Sequence, residues 1–124
     1  MLHLHPKYKE IAEACETYPE EAEVLFQVYL DLTLEKEWSL VETKHVKAIS
    51  RFVLEGKKEL KEEIRYIVPT LASERWSLER IEKLFIELEK ILDNKPSSVM
   101  LAITSTDSTV VYYTVHSGIV PPTS

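Results

Sequence analysis

One stretch of the sequence restricts the fold more than any other, because its apolar residues recur at intervals of three and four. They are Leu78, Ile81, Leu84, Phe85, Leu88, Ile91 and Leu92. Side chains at this spacing lie on one face of an α-helix, and Ser77 stands where a helix N-cap is favoured. The sequence therefore predicts a helix that must bury one face. The residues expected to lie on a sheet are Leu78, Ile81, Phe85, Leu88 and Leu92.

Two strand-like segments follow this helix and would supply part of that sheet. Residues 99–103 and 110–115 are rich in β-branched and aromatic side chains, which strands favour. The connecting residues 104–109 are all Thr, Ser or Asp, so we predict a terminal β-hairpin. Alternation along the second strand sends Tyr112 and Tyr113 to opposite faces. One of them can enter the core, and the other needs solvent or a partner.

The first half of the chain predicts two helices and about three short strands. Helical spacing begins at Tyr8 and again after Pro19, and proline suits the first turn of a helix. The strand-like segments are residues 38–41, 48–54 and 60–68, with Gly56 in a turn and Pro69 ending the third. This order predicts a single small α+β domain over residues 1–124, with a mixed or antiparallel sheet. Only the two ends of the chain, about residues 1–5 and 118–124, are expected to be loosely attached to this domain.

Composition narrows the class of protein. A hydrophobic share of 44% over 124 residues is enough for one core. The net charge of −6 disfavours a protein that binds nucleic acid by itself, because phosphate contacts need basic residues. Cys15 is the lone cysteine, which excludes an internal disulfide and a cysteine-based zinc site. No apolar run reaches the ~18 residues that a membrane span needs, so we expect a soluble intracellular protein.

Several short motifs, in order along the chain, resemble those of one family. They are His5 to Tyr8, Val28 to Leu32, Val68 to Thr70, Leu101 to Ile103 and Asp107 to Tyr113. On these motifs the chain resembles the small non-catalytic subunits of eukaryotic tRNA-splicing endonuclease, the Sen family. The resemblance implies a nuclease-like fold similar to the C-terminal domain of the tRNA-intron endonucleases. It also implies a four-subunit enzyme in which two subunits cut pre-tRNA and two are structural.

The resemblance also implies where the chain meets its partners. In the family, the last strands of the small structural subunit lie against those of a catalytic subunit. The corresponding interface residues here are Val110, Val111, Tyr112, Tyr113 and Val115. The loop before them reaches toward the other half of the assembly, which makes Asp107 and Ser108 candidate docking residues. An ordinary turn, in which Asp107 bonds nearby backbone amides, is an equal alternative for that loop.

The strand at 110–115 carries no charge that would discourage another strand from pairing along it. We therefore expect a homodimer when the chain is isolated from its natural partner.

The family's catalytic subunits use Tyr, His and Lys, and this chain departs from that pattern. Ser97 and Ser98 stand at or near the family's lysine position, and Gly56 alone replaces a glycine-rich stretch. We therefore expect no catalytic residue and no cofactor, with pre-tRNA met through the complex. His45 and Lys47 are read as a solvent-exposed pair.

His3 and His5 lack a third ligand nearby, so we expect a tail and no metal site.

Two other functions stay open. The chain could be a divergent RNA endonuclease that is active by itself, using His45, Lys47 and a tyrosine, or an unrelated heteromeric scaffold. Trp38 and Trp76 could stack on RNA bases, although an aromatic residue at an element boundary more often closes the end of a core. The resemblance implies a nuclear location, with the cytoplasm or the mitochondrial outer surface, as in budding yeast, as the alternative.

Overall fold

The computed structural model describes residues 7–92 and 96–117, which form a five-stranded sheet between two layers of helix. The helices are α1 (Tyr8–Thr17), α2 (Ala22–Leu30) and α3 (Leu78–Ile91). The strands are β1 (Leu40–Val46), β2 (Arg51–Lys57), β3 (Arg65–Leu71), β4 (Ser98–Thr104) and β5 (Val110–His116). A 3₁₀ turn at Pro19–Glu21 precedes α2, a π-helical turn at Asp31–Glu35 follows it, and a 3₁₀ turn at Lys47–Ile49 joins β1 to β2.

The sheet is mixed and follows the chain in the order β1-β2-β3-β4-β5. Strands β3 and β4 are parallel, and every other neighbouring pair is antiparallel. Parallel neighbours need a crossover connection, which α3 supplies. The predicted α+β class, the mixed sheet and the terminal hairpin are therefore confirmed. In the described residues β1 and β5 form the two edges of the sheet.

Successive strand residues point to opposite faces of the sheet, so the core has two parts. The helix-pair core lies under α1 and α2, and it includes Phe26, Tyr29, Leu32, Trp38, Leu54, Ile67 and Ala102. The α3 core lies on the other face, and it includes Val53, Tyr66, Val68, Leu84, Phe85, Leu88, Val99 and Leu101. Trp38 is therefore a core residue, as the sequence favoured.

Helix α3 begins as predicted, because the backbone N–H of Arg80 donates to Ser77 Oγ at 3.2 Å. Phe85 and Leu88 are buried, and Ile81 and Leu92 pack against the α3 core. The prediction for Leu78 is wrong, since its side chain is 62% exposed. Leu78 is the first residue of the helix, and the contacts with the α3 core begin one turn later, at Ile81.

The predicted limits of the first three strands are also wrong in part. Gly56 lies inside β2 opposite Val41, where a turn was expected. A side chain cannot fit there, because a Cβ atom would lie 2.6 Å from the carbonyl oxygen of Leu40. Leu60 is exposed, because β3 begins only at Arg65 and Leu60 therefore lies in the loop before it.

Strand β3 continues through Pro69, which was expected to end it. Pro69 is paired with β4, but the pairing of β3 with β2 stops at Ile67 opposite Leu54. A proline has no backbone N–H to donate to a neighbouring strand, so within a sheet it suits a position where one side is unpaired. The side of Pro69 that faces β2 is such a position. The Pro69 carbonyl instead accepts a hydrogen bond from Arg51 at 3.1 Å.

Within the described residues, none of the helices has the length and apolar character required to cross a membrane. The predicted loose ends, and with them His3 and His5, fall in the parts of the chain outside those residues.

Candidate protein interface at the sheet edge

The edge strand β5 has one side unpaired. It pairs with β4 from Val110 opposite Thr104 to His116 opposite Ser98. Within residues 7–92 and 96–117, no strand pairs with its other side. A row of backbone donors and acceptors is therefore available for another chain.

Two of the predicted interface residues are exposed apolar side chains. Val111 is 43% and Tyr113 is 57% exposed, on the same face of β5. Among the described residues on this face of β5, only Val115 packs against the α3 core, and it is half-buried. An exposed apolar pair beside an open strand edge is typical of a surface that another protein covers.

The other two interface residues point to the opposite face, as alternation predicted. Val110 and Tyr112 are half-buried and pack against the helix-pair core. The Tyr112 hydroxyl donates to Asp31 Oδ2 at 2.6 Å, and the Lys36 ammonium lies 5.1 Å from the centre of the Tyr112 ring. Burial, together with the Asp31 carboxylate, raises the pKa of Tyr112. These contacts fix β5 to the turn after α2.

Sequence reasoning missed Asp31 and Lys36 as parts of this site. They lie about eighty residues before Tyr112, where Asp31 begins the π-helical turn and Lys36 directly follows it. No local spacing in the sequence links a residue in one helix to a strand so far along the chain.

The loop between β4 and β5 forms a compact turn. Asp107 Oδ1 accepts a hydrogen bond from the backbone N–H of Thr109 at 3.1 Å, and Thr109 lowers the pKa of Asp107. Ser108 has a positive φ of 71°, and its carbonyl accepts from Gln27 Nε2 at 3.2 Å. The structure therefore contains the turn in which Asp107 bonds a nearby backbone amide. Asp107 and Ser108 are exposed, and their docking to another subunit stays a prediction.

His45 and Lys47 are both exposed, at the end of β1 and in the turn after it. The structure also brings Tyr18 to His45, with the hydroxyl 2.7 Å from Nε2. The imidazole stacks on Phe52 with ring centres 4.5 Å apart. Tyr18 directly follows α1, so its contact with His45 joins the end of that helix to the sheet at the surface. A separation of 27 residues along the chain did not reveal it.

Trp76 belongs to a polar network that holds the segment between β3 and α3. Its Nε1 donates to Thr70 Oγ1 at 3.0 Å, and its ring lies 4.4 Å from the Arg80 guanidinium and 5.1 Å from that of Arg51. Glu74 accepts hydrogen bonds from Arg51, Thr70 and Arg80. Burial alone would raise the pKa of Glu74, but these hydrogen bonds and the Arg51 charge lower it. The indole is held by protein groups in this network.

Within residues 7–92 and 96–117 no three His, Cys, Asp or Glu side chains come together in a group able to hold a metal ion. Ser97 directly precedes β4, and Ser98 is the first residue of that strand.

Comparison with known proteins gives consistent matches. The model of a family described as Sen15 protein matches residues 27–124. A mouse (Mus musculus) protein named tRNA-splicing endonuclease subunit Sen15 is 32% identical over 120 residues, covering 95% of this chain and 71% of the mouse protein. The human (Homo sapiens) protein of the same name is also 32% identical over 120 residues, covering 95% of this chain and 70% of its own length. The matched regions include β5 and the loop before it.

Proposed function

The chain belongs to the Sen15 family, and from that membership we propose that it is a structural, non-catalytic subunit of a tRNA-splicing endonuclease. It would support the removal of introns from pre-tRNA by pairing with a catalytic subunit through its C-terminal strands. The observation that carries this proposal is the outer edge of β5, which no strand of the described residues covers, with Val111 and Tyr113 exposed beside it.

The organisation around β5 supports pairing with another protein. Two hydrogen bonds attach the strand and its loop to the α2 side of the molecule, one from Tyr112 to Asp31 and one from Gln27 to the carbonyl of Ser108. A strand that is fixed before binding loses little conformational entropy when a partner adds to it. Backbone hydrogen bonds along the edge would provide affinity, and the side chains of Val111 and Tyr113 would provide specificity.

The absence of catalysis is proposed from the residues at the family's catalytic positions. A general acid, a general base and a cation are needed to break an RNA backbone by attack of the ribose 2′-hydroxyl. Serines stand at or near the lysine position, and the glycine-rich stretch is missing. The net charge of −6 also favours contact with pre-tRNA through the assembly rather than through this chain alone.

Without its partner, the same edge should pair with a second copy of itself, giving a symmetric homodimer. Such a contact would have to bury on the order of 1,000 Å² or more to be stable. Light scattering coupled to size exclusion measures this directly. A monomer at tens of micromolar would contradict the homodimer without affecting the proposal for the complex.

The proposed function is tested by cleavage of an intron-containing pre-tRNA. The purified chain alone should leave the pre-tRNA intact, and the assembly recovered with a tagged copy should contain endonuclease subunits and cut it. Cleavage by the chain alone would establish an enzyme. Recovery of the chain without endonuclease subunits would contradict the proposed complex.

We also propose that the protein resides in the nucleus, as the family resemblance implies for animals. Imaging of a fluorescent fusion at native expression tests this, and a signal confined to mitochondria would contradict it.

A further inference from the structure

A groove of about 800 Å³ opens at the end of the sheet where β3 and β4 begin. One wall comes from the loop before β3 and the first residues of that strand, and the other from the segment that enters β4. The lining residues include Ile64, Arg65, Tyr66, Ser97, Ser98 and Thr114. The groove is separate from the Trp76 network and from the Tyr18–His45 pair.

The groove exists because two neighbouring strands do not pair along their full length. Strand β3 begins at Arg65 and β4 at Ser98, but they pair only from Ile67 opposite Met100 onward. On their outer sides both strands are already paired, Arg65 with Gly56 and Ser98 with His116. Backbone groups of a strand point alternately to its two sides. The first residues of both strands therefore present backbone donors and acceptors to the groove.

The charge of the lining indicates what kind of ligand fits. Lys61 and Arg65 are balanced by Glu62 and Glu63, and Arg65 lies 3.9 Å from Glu62. Nucleic acid would favour a basic site, because phosphate contacts dominate its affinity. The lining also offers apolar surface, since Ile64 is 42% exposed. A neutral mixture of apolar side chains and strand edges suits an extended polypeptide.

The position of the groove identifies the source of that polypeptide. Thr114, in the second half of β5, lines it directly. The backbone N–H of Ser117, just after β5, donates to the Ser97 carbonyl at 2.9 Å. The groove therefore extends across the beginning of β4 as far as β5, and a chain paired along the open edge of β5 reaches it by crossing that one strand.

We propose that this groove receives an extended segment of the same partner subunit that pairs along β5. The inference rests on the proposed function, which supplies the partner. It adds a second contact, because the partner would be held at the strand edge and again at the beginning of β3 and β4.

Site-specific photo-cross-linking within the complex tests this inference. A benzophenone amino acid replaces Ile64 in the groove, Val111 on β5, or Ile86 as a control on the outer surface of α3. All three side chains are exposed, so the replacements should not disturb folding. Positions 64 and 111 should cross-link to the same endonuclease subunit, and position 86 should not. Mass spectrometry of the product then identifies the partner segment.

The outcomes separate the two proposals. A cross-link at position 111 without one at position 64 overturns the groove contact and leaves the proposed function standing. A cross-link from position 64 to RNA, or to residues 118–124 of the same chain, also overturns the groove contact. The absence of a cross-link at both positions contradicts the groove contact and the β5 interface together.

Discussion

The hydroxyl of Tyr112 lies 2.6 Å from Oδ2 of Asp31, and this hydrogen bond ties the edge strand β5 to the turn that follows α2. Tyr112 faces the helix-pair core while its neighbour Tyr113 faces outward. One residue therefore anchors the strand, and the next is available to a partner. The anchor can be tested separately from the partner surface.

Replacement of Tyr112 by Phe should lower the free energy of unfolding by about 1–3 kcal/mol, because a hydrogen bond to a charged group is lost. Tyr113→Phe is the matched control, since that hydroxyl lies on an exposed side chain, and it should change stability little. Denaturant unfolding at neutral pH measures both. Equal, small effects of the two substitutions would show that the Asp31 contact does not anchor β5.

The pH dependence of the same contact follows from the raised pKa of Tyr112. A tyrosine whose folded-state pKa lies above its unfolded value of about 10 stabilises the fold fully below that pH. The stabilisation falls as the pH rises beyond it, because the unfolded hydroxyl ionises first. Tyr112→Phe should therefore flatten the loss of stability above that pH. An unchanged slope would contradict the assignment.

Glu74 should contribute stability with the opposite pH dependence, because its pKa is lowered in the folded state. The contribution is present above the unfolded pKa of about 4.3 and is lost as the pH falls through the folded value. Glu74→Gln should cost about 1–3 kcal/mol at neutral pH, where Arg51 loses its carboxylate. The exposed Glu79→Gln is the control. The difference between the two variants should shrink on acidification, and a difference independent of pH would refute the role of the charge.

Leu88→Ala should destabilise the protein by about 2–5 kcal/mol, the usual range for truncation of a large buried side chain. Leu88 is fully buried between α3 and the sheet. Ile86→Ala, on the exposed side of the same helix, should stay within about 0.5 kcal/mol of the parent. Denaturant unfolding decides, and a Leu88 variant as stable as the Ile86 variant would place the core elsewhere.

The sequence predicted the second half of the fold well, because its signals are local. Ser77 caps α3, and 99–103 and 110–115 lie within β4 and β5. The errors lie where a distant group decides the local structure. Gly56 lies within a strand because it is paired with Val41 and Arg65, and Pro69 continues a strand because β2 no longer pairs there. Neither condition can be read from the residues next to it.

In the candidate site, too, the local features were predicted from the sequence and the long-range contacts were not. The alternation of Tyr112 and Tyr113 followed from the period of a strand. The contact of Asp31 with Tyr112 and that of Tyr18 with His45 join residues 81 and 27 positions apart. Contacts of that kind depend on the packing of helices on the sheet, which local sequence patterns do not encode.

The most direct test of the account is the recovery of endonuclease subunits with tagged variants of this chain. Val111→Lys and Tyr113→Lys place a charge on the exposed face of β5, where a covering partner would leave it buried without a counter-ion. Both should fold but lose the catalytic subunit, whereas Ile86→Lys on the outer side of α3 should retain it. Full recovery with both β5 variants would show that the chain does not pair through this strand, and so would contradict the central claim.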